Sequence, residues 1–178
     1  INLGYDEKLF FKKDNEKINL LKKKFNIPNY FLIGSFVKDS PGFGASNEPK
    51  AIKRPELLVK VVREINKRKK VYVLLTGPSR GFVIQNLKKY GIQFKYFGNV
   101  KKKDLSNLMN LIDVNIISSL REGGPKSAIE STACGKFILS TDVGLVKKII
   151  NKYKNGIIFN ENDFKLDFFF DSFYRFNG

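Results

Sequence analysis

Residues 118–144 read SSLREGGPKSAIESTACGKFILSTDVG, and this stretch decides the fold. It opens at the end of a short apolar run, residues 114–118, of strand length. A loop with paired glycines, Gly123 and Gly124, then leads into a helix predicted over residues 127–134, with Pro125 in its first turn. A second apolar run, residues 137–141, follows at once. Strand, glycine turn, helix and strand in so short a span make a crossover between two parallel strands.

The same cycle repeats on both sides. Residues 30–36 (YFLIGSF) and 71–76 (VYVLLT) are compact apolar runs without polar alternation, the pattern of strands covered on both faces. Between them Leu57, Leu58, Val61, Val62 and Ile65 recur at helical spacing behind Pro55. Val83, Ile84 and Leu87 predict a helix that stops near Gly91. Residues 94–97 predict a short strand closed by Gly98. Leu105, Leu108, Met109 and Ile112 form a helical stripe with Asp104 as its expected N-cap. Leu145, Val146, Ile149 and Ile150 predict another helix, residues 156–159 a last strand, and the phenylalanine-rich residues 163–176 a closing helix. The expected fold is therefore α/β, a doubly wound, Rossmann-like parallel sheet in a single domain spanning residues 1–178. In such sheets ligands bind beyond the carboxyl ends of the strands, in the loops that lead into helices. The polar loop after residue 36, with Pro41, Gly42 and Gly44, is one of these.

Composition removes several chemistries. The chain has 178 residues, 42% hydrophobic and 13% aromatic, which suits one folded core. With no histidine, neither a His-based triad nor an ordinary zinc site can be built. No Asp-x-Asp pair occurs, and no metal is expected. The one cysteine, Cys134, forms no internal disulfide and suits a reducing, cytoplasmic location. No apolar run is long enough to cross a bilayer. The start at Ile1 with a loop-like opening reads as a piece whose upstream part is missing. Net charge is +16, from 33 Lys plus Arg against 17 Asp plus Glu. This favours polyanions, but lysine-rich, Asn-rich and Phe-rich usage reads first as compositional drift onto solvated helix faces, so nucleic acid is not an expected partner.

The glycine turn carries the candidate chemistry. Glycines let a ligand approach the backbone, and the amides of Lys126 and Ser127 at the positive helix end suit a diphosphate. Lys126 adds a point charge. Glu122 on the loop and Glu130 in the helix are two-oxygen acceptors suited to vicinal hydroxyls. The bland alternative is a tight turn that binds nothing, with Glu130 only complementing the helix dipole.

Taken together, Glu122-Gly-Gly-Pro, Glu130 eight positions on, Ala133-Cys134-Gly135-Lys136 and Thr141-Asp142-Val143-Gly144 resemble the donor-site signature of retaining GT-B glycosyltransferases of family 4, the glycosyl transferases group 1. The resemblance covers most of the chain. Asn2-Leu3-Gly4-Tyr5-Asp6 with Phe10 resembles the segment that leads into that family's second domain. Ile33-Gly34-Ser35, Lys53 with Pro55-Glu56-Leu57-Leu58, Leu75-Thr76-Gly77-Pro78 and Tyr96-Phe97-Gly98-Asn99-Val100 resemble its successive strand ends and loops.

The resemblance implies the nucleotide-sugar-binding, C-terminal half of a two-domain enzyme, with the N-terminal acceptor-binding domain absent from this chain. It implies that Glu122 contacts sugar hydroxyls and Glu130 the ribose diol, and that Lys53 neutralises the departing diphosphate. The distal phosphate falls to backbone around Gly123, Gly124, Pro125, Lys126 and Ser127, and the base to backbone near Val100. Gly34, Ser35 and Gly77 fall at loops that approach the nucleotide. Three departures stand out. Gly34-Ser35 replaces the family's Gly-Arg, Lys53-Arg54 replaces its Lys-Gly, and residues 38–52 form a longer loop. Arg54 or Arg80 is left to supply the absent phosphate-clamping charge. By the same resemblance, contact with an anionic membrane surface is an expected partner interaction. Two rival readings are a polyanion-binding α/β module and a GT-B half with other chemistry, such as a sugar-nucleotide epimerase.

Overall fold

The computed structural model of the chain describes residues 4–42 and 46–178. Asn2, Leu3 and Gly44, named above, lie outside the described residues. The elements run α1 (Asn15–Lys24), β1 (Phe31–Phe36), α2 (Pro55–Asn66), β2 (Val71–Thr76), α3 (Gly81–Lys89), β3 (Gln93–Tyr96), α4 (Lys102–Leu111), β4 (Val114–Ile117), α5 (Lys126–Ala133), β5 (Phe137–Ser140), α6 (Val146–Tyr153), β6 (Gly156–Ile158) and α7 (Leu166–Asn177). A 3-10 turn, Ala51–Lys53, precedes α2.

The strands form one sheet in the order β3-β2-β1-β4-β5-β6, with every neighbouring pair parallel. The fold is the expected doubly wound, Rossmann-like one. Strand order reverses between β1 and β4, so the loops after these two strands diverge and open a crevice at the carboxyl edge. The turn from β4 into α5 lies at that edge.

Apolar periodicity explains the packing. Helix α2 buries Leu57, Leu58, Val59, Val61, Val62 and Ile65 against the sheet, joining Ile33, Val73, Leu75 and Ile116 in the largest core cluster. Each such fully buried side chain contributes roughly 1.5–3 kcal/mol of transfer free energy. The closing helix docks on the same face: Phe169, Phe170 and Phe173 are buried, with Phe31 and Phe137 in edge-on contact with them. The phenylalanine-rich tail therefore packs within this domain. No helix among the described residues is long and apolar enough to cross a membrane.

Two local expectations need correction, and one helix adds to them. Helix α1 was not expected. Its residues are all solvent-exposed or half-buried, so it lacks the strong apolar stripe that marks a core helix. Its signal is the cap: the Asp14 carboxylate accepts a hydrogen bond from the Lys17 amide at 2.8 Å, with Glu16 in the first turn and Lys22–Lys24 in the last. Asp104 is not the cap of α4. That helix starts earlier, behind Lys101, and Asp104 lies in its first turn, where its charge still complements the dipole. Pro125 is the N-cap of α5 rather than its first helical residue, because its ψ of 108° is extended.

Candidate functional site

The turn from β4 to α5 is built open. The Ser119 hydroxyl donates to Glu122 Oε1, and the Thr141 hydroxyl donates to the Ser119 carbonyl at 2.6 Å, tying this loop to the end of β5. Gly144, with φ of 51°, lies directly beneath. A Cβ there would come within 2.7 Å of the Glu122 and Gly123 carbonyl oxygens, so only glycine lets the two loops meet. A Cβ on Gly123, in contrast, would meet nothing within 4 Å. Ala128 donates back to the Pro125 carbonyl at 2.9 Å. The Lys126 and Ser127 amides precede it, at the helix end where backbone N–H groups point outward. Asn115 on β4 anchors the helix from below, donating to the Ser127 carbonyl and to Ser131 Oγ at 3.1 and 3.0 Å.

Lys53 reaches this turn from the other side of the crevice. Its Nζ lies 2.8 Å from Glu122 Oε1, with both side chains largely buried. The backbone beneath it is stitched to β4: Ser118 Oγ donates to the Lys53 carbonyl at 3.0 Å, and the Leu120 amide donates to the Ile52 carbonyl at 2.9 Å. Sequence spacing could not join Lys53 to Glu122, since the pairing arises only because β1 and β4 are neighbours in the sheet. Arg54, the next residue, adopts left-handed φ/ψ of 47°/56°, which explains why glycine suits this position. Its guanidinium pairs with Glu161, beyond β6.

Glu130 lies one turn further along α5, half-buried. Burial pushes its carboxyl above the ordinary range, and the Lys126 and Lys102 ammoniums partly offset this. Among the described residues it has no ion-pair partner within 4.0 Å, so its oxygens remain available as acceptors. Val100 packs its side chain against the core cluster of Leu32, Leu74 and Ile112, which leaves its backbone as its polar offering. Lys53 and Glu122 are thus brought together beside the glycine turn, and Glu130 stands further along α5.

Arg80 is held among protein groups. It is 1% exposed. Its Nη1 lies 2.7 Å from the Ser35 and Val37 carbonyl oxygens and 2.9 Å from that of Thr76, and its Nη2 donates to Ser35 Oγ at 3.0 Å. Its Nε pairs with Asp39 Oδ2 at 2.6 Å. Burial pushes the Asp39 carboxyl up to about 6, against the pull of Arg80. The Arg80 guanidinium is thus committed largely to protein acceptors, and Arg54 is turned to Glu161. Ser35 is buried as an acceptor for Arg80. Gly77, with φ of 109°, backs onto the Val37 carbonyl, which a Cβ would approach to 2.6 Å. Gly34 faces the Ile112 and Phe36 side chains at 2.7 Å in the same sense. These four residues pack together in and after β1 and β2. Ser119, Asn115 and Ser118 were not singled out from sequence as site supports, because a serine or asparagine at a strand end carries no signal of its own.

Residues 38–166 match the family Glycosyl transferases group 1. No curated protein sequence matches the chain. Among solved structures, the glycosyltransferase from Rickettsia africae superposes with a TM-score of 0.73 at 22% identity, over 98% of this chain and 46% of that one. Anabaena HepE in complex with UDP superposes with a TM-score of 0.71 at 18% identity, over 98% and 45% of the two chains. The C-terminal domain of the group 1 family protein LpcC from Francisella tularensis gives 0.63 at 17% identity, over 79% and 72%. The chain thus spans less than half the length of the first two. It belongs to the glycosyl transferases group 1 family, with the fold of the C-terminal half of the GT-B architecture.

Proposed function

We propose that this chain is the donor-binding domain of a retaining hexosyltransferase, acting with an N-terminal acceptor-binding domain that lies outside these residues. The observation that carries the reading is the open β4–α5 turn, with Lys53 and Glu122 on one flank and Glu130 on the other. The α5 amides and Lys126 receive the distal phosphate, Glu130 the ribose diol, Glu122 the sugar hydroxyls, and backbone near Val100 the base. Anabaena HepE has been solved with UDP-glucose, which makes a uridine donor the first to test. In the reaction the bond from anomeric carbon to diphosphate breaks while the acceptor oxygen bonds to the same face of the sugar. Lys53 and the helix amides stabilise the charge on the leaving diphosphate, without a metal. Each well-placed donor of this kind supplies about 3 kcal/mol of transition-state stabilisation. Groups from the partner domain complete catalysis, so the isolated chain binds donor and turns over little. The reaction runs in the cytoplasm, and the +16 charge favours contact with the anionic membrane face.

Titration calorimetry with UDP, GDP, ADP and UDP-glucose tests this. One nucleoside diphosphate binds, Glu130→Ala weakens it, and Glu122→Ala weakens only the extra affinity of the sugar nucleotide. Folded protein that takes up none of the four sinks the reading. Equal competition by heparin, with affinity falling steeply as salt rises, returns the polyanion-binding alternative.

A further inference from the structure

We infer that Arg80 is a positioning residue for Lys53, acting through the neck of the long loop between β1 and α2. The inference rests on the donor-site reading for its functional consequence, but not for its geometry.

A chain of contacts connects the two residues. The guanidinium of Arg80 gathers the end of β1, through Ser35 and Val37, the end of β2, through Thr76, and the carboxylate of Asp39. The amides of Asp39 and Ser40 donate to the Ser79 carbonyl, each at 3.2 Å, and the Ser79 hydroxyl donates to the Pro41 carbonyl at the same distance. One limb of the loop is thereby fixed to the β2–α3 turn. The other limb returns at Lys50, whose amide donates to the Asp39 carbonyl at 2.8 Å. Asp39 and Lys50 form the neck. From Lys50 the chain enters the 3-10 turn at once: the Lys50 carbonyl accepts from the Lys53 amide at 2.7 Å and from the Arg54 amide at 3.2 Å. Lys53 is thus anchored one hydrogen bond from the neck, and the neck one ion pair from Arg80.

A long loop hung between a strand and a helix has many conformations, and fixing its neck removes most of that freedom before Lys53. Placement within a fraction of an ångström matters for a charge that must meet a developing anion. The guanidinium at the start of α3 thus sits on Ser35, where it organises the loop. A rival hold exists, through Ser118 and Leu120 on the β4 side.

Lysine acylation followed by peptide mass spectrometry on the whole chain separates the two holds without any nucleotide. Lys53, paired and largely buried, labels slowly in the wild type. In Arg80→Lys and Asp39→Asn, checked as folded by circular dichroism, Lys53 labels about fivefold faster or more, while exposed Lys126 stays unchanged. Unchanged Lys53 labelling in either folded variant, with acceleration in Ser118→Ala instead, overturns the inference. If neither variant folds, amide exchange on the wild type decides. Lys50 and Lys53 amides that exchange as freely as exposed loop amides overturn it, and protection of both supports it. For UDP affinity, Arg80→Lys costs as much as Lys53→Ala, about tenfold, and the double variant loses no more. Additive losses overturn the coupling. If the wild type binds no nucleoside diphosphate while the labelling result holds, the donor-site reading has failed and the positioning has not.

Discussion

Two turns at the carboxyl edge are written in nearly the same words. Gly77-Pro78-Ser79-Arg80-Gly81 leads from β2 into α3, and Gly123-Gly124-Pro125-Lys126-Ser127 leads from β4 into α5. Each has glycines, one proline and one cation at a helix start. In the first, the loop after β1 lies on the turn: a Cβ on Gly77 would strike the Val37 carbonyl at 2.6 Å, and one on Gly81 the Ser46 carbonyl at 2.2 Å. Its cation is buried. In the second, Gly123 meets nothing within 4 Å and Lys126 is exposed. The same residue types are packed away in one turn and stand exposed at Gly123 and Lys126 in the other. What differs is whether a neighbouring loop stands where the Cβ of Gly77 or of Gly123 would go.

The largest test of this contrast is Arg80→Met. It removes the buried guanidinium and strands the Asp39 carboxylate, and about 3–5 kcal/mol of unfolding free energy is lost in guanidinium titrations. A loss below about 1 kcal/mol would mean that the first turn is not the packed one. Next in size, Gly77→Ala costs about 1–3 kcal/mol, because a left-handed φ and a backbone clash both oppose the new methyl group. Gly123→Ala costs less than about 0.5 kcal/mol, since its methyl enters open space. Equal losses for the two would erase the distinction. Lys126→Met sharpens it from the functional side: diphosphate affinity falls about tenfold in calorimetry. The thermal midpoint of that variant stays within about 1 °C.

The smallest effect is a gain. Glu130 has a folded carboxyl pKa raised above its ordinary 4.5, chiefly by burial. Its ionised form therefore opposes folding, a cost fully present above the folded pKa and lost as pH falls toward the unfolded value. Glu130→Gln stabilises the protein by about 0.5 kcal/mol at pH 7 while weakening nucleotide binding, and the gain fades near pH 4. A variant less stable than wild type at pH 7 would mean that Glu130 serves packing.

Much of this was legible before any coordinates. The strand runs at residues 71–76 and 137–141 needed only hydrophobic patterning, because strands buried on both faces have little freedom in composition. The strand β2 was expected to the residue. The glycine turn between Glu122 and Glu130 was legible as a strand-to-helix turn because it lies on one continuous segment. Helix α1 was not, since a helix that buries no residue fully leaves its trace only in caps and charges.

Sequence alone, then, determined the parallel sheet and the local acid–glycine–acid turn, whose causes act over a few residues: periodicity, chain stiffness and a helix end. Only the tertiary structure decided which cation does what. Lys53 meets Glu122, Arg54 turns to Glu161 and Arg80 disappears beneath Asp39, through contacts between residues distant in the chain. A guanidinium binds whatever carbonyls and carboxylates fold around it, and no spacing rule in the sequence records that choice.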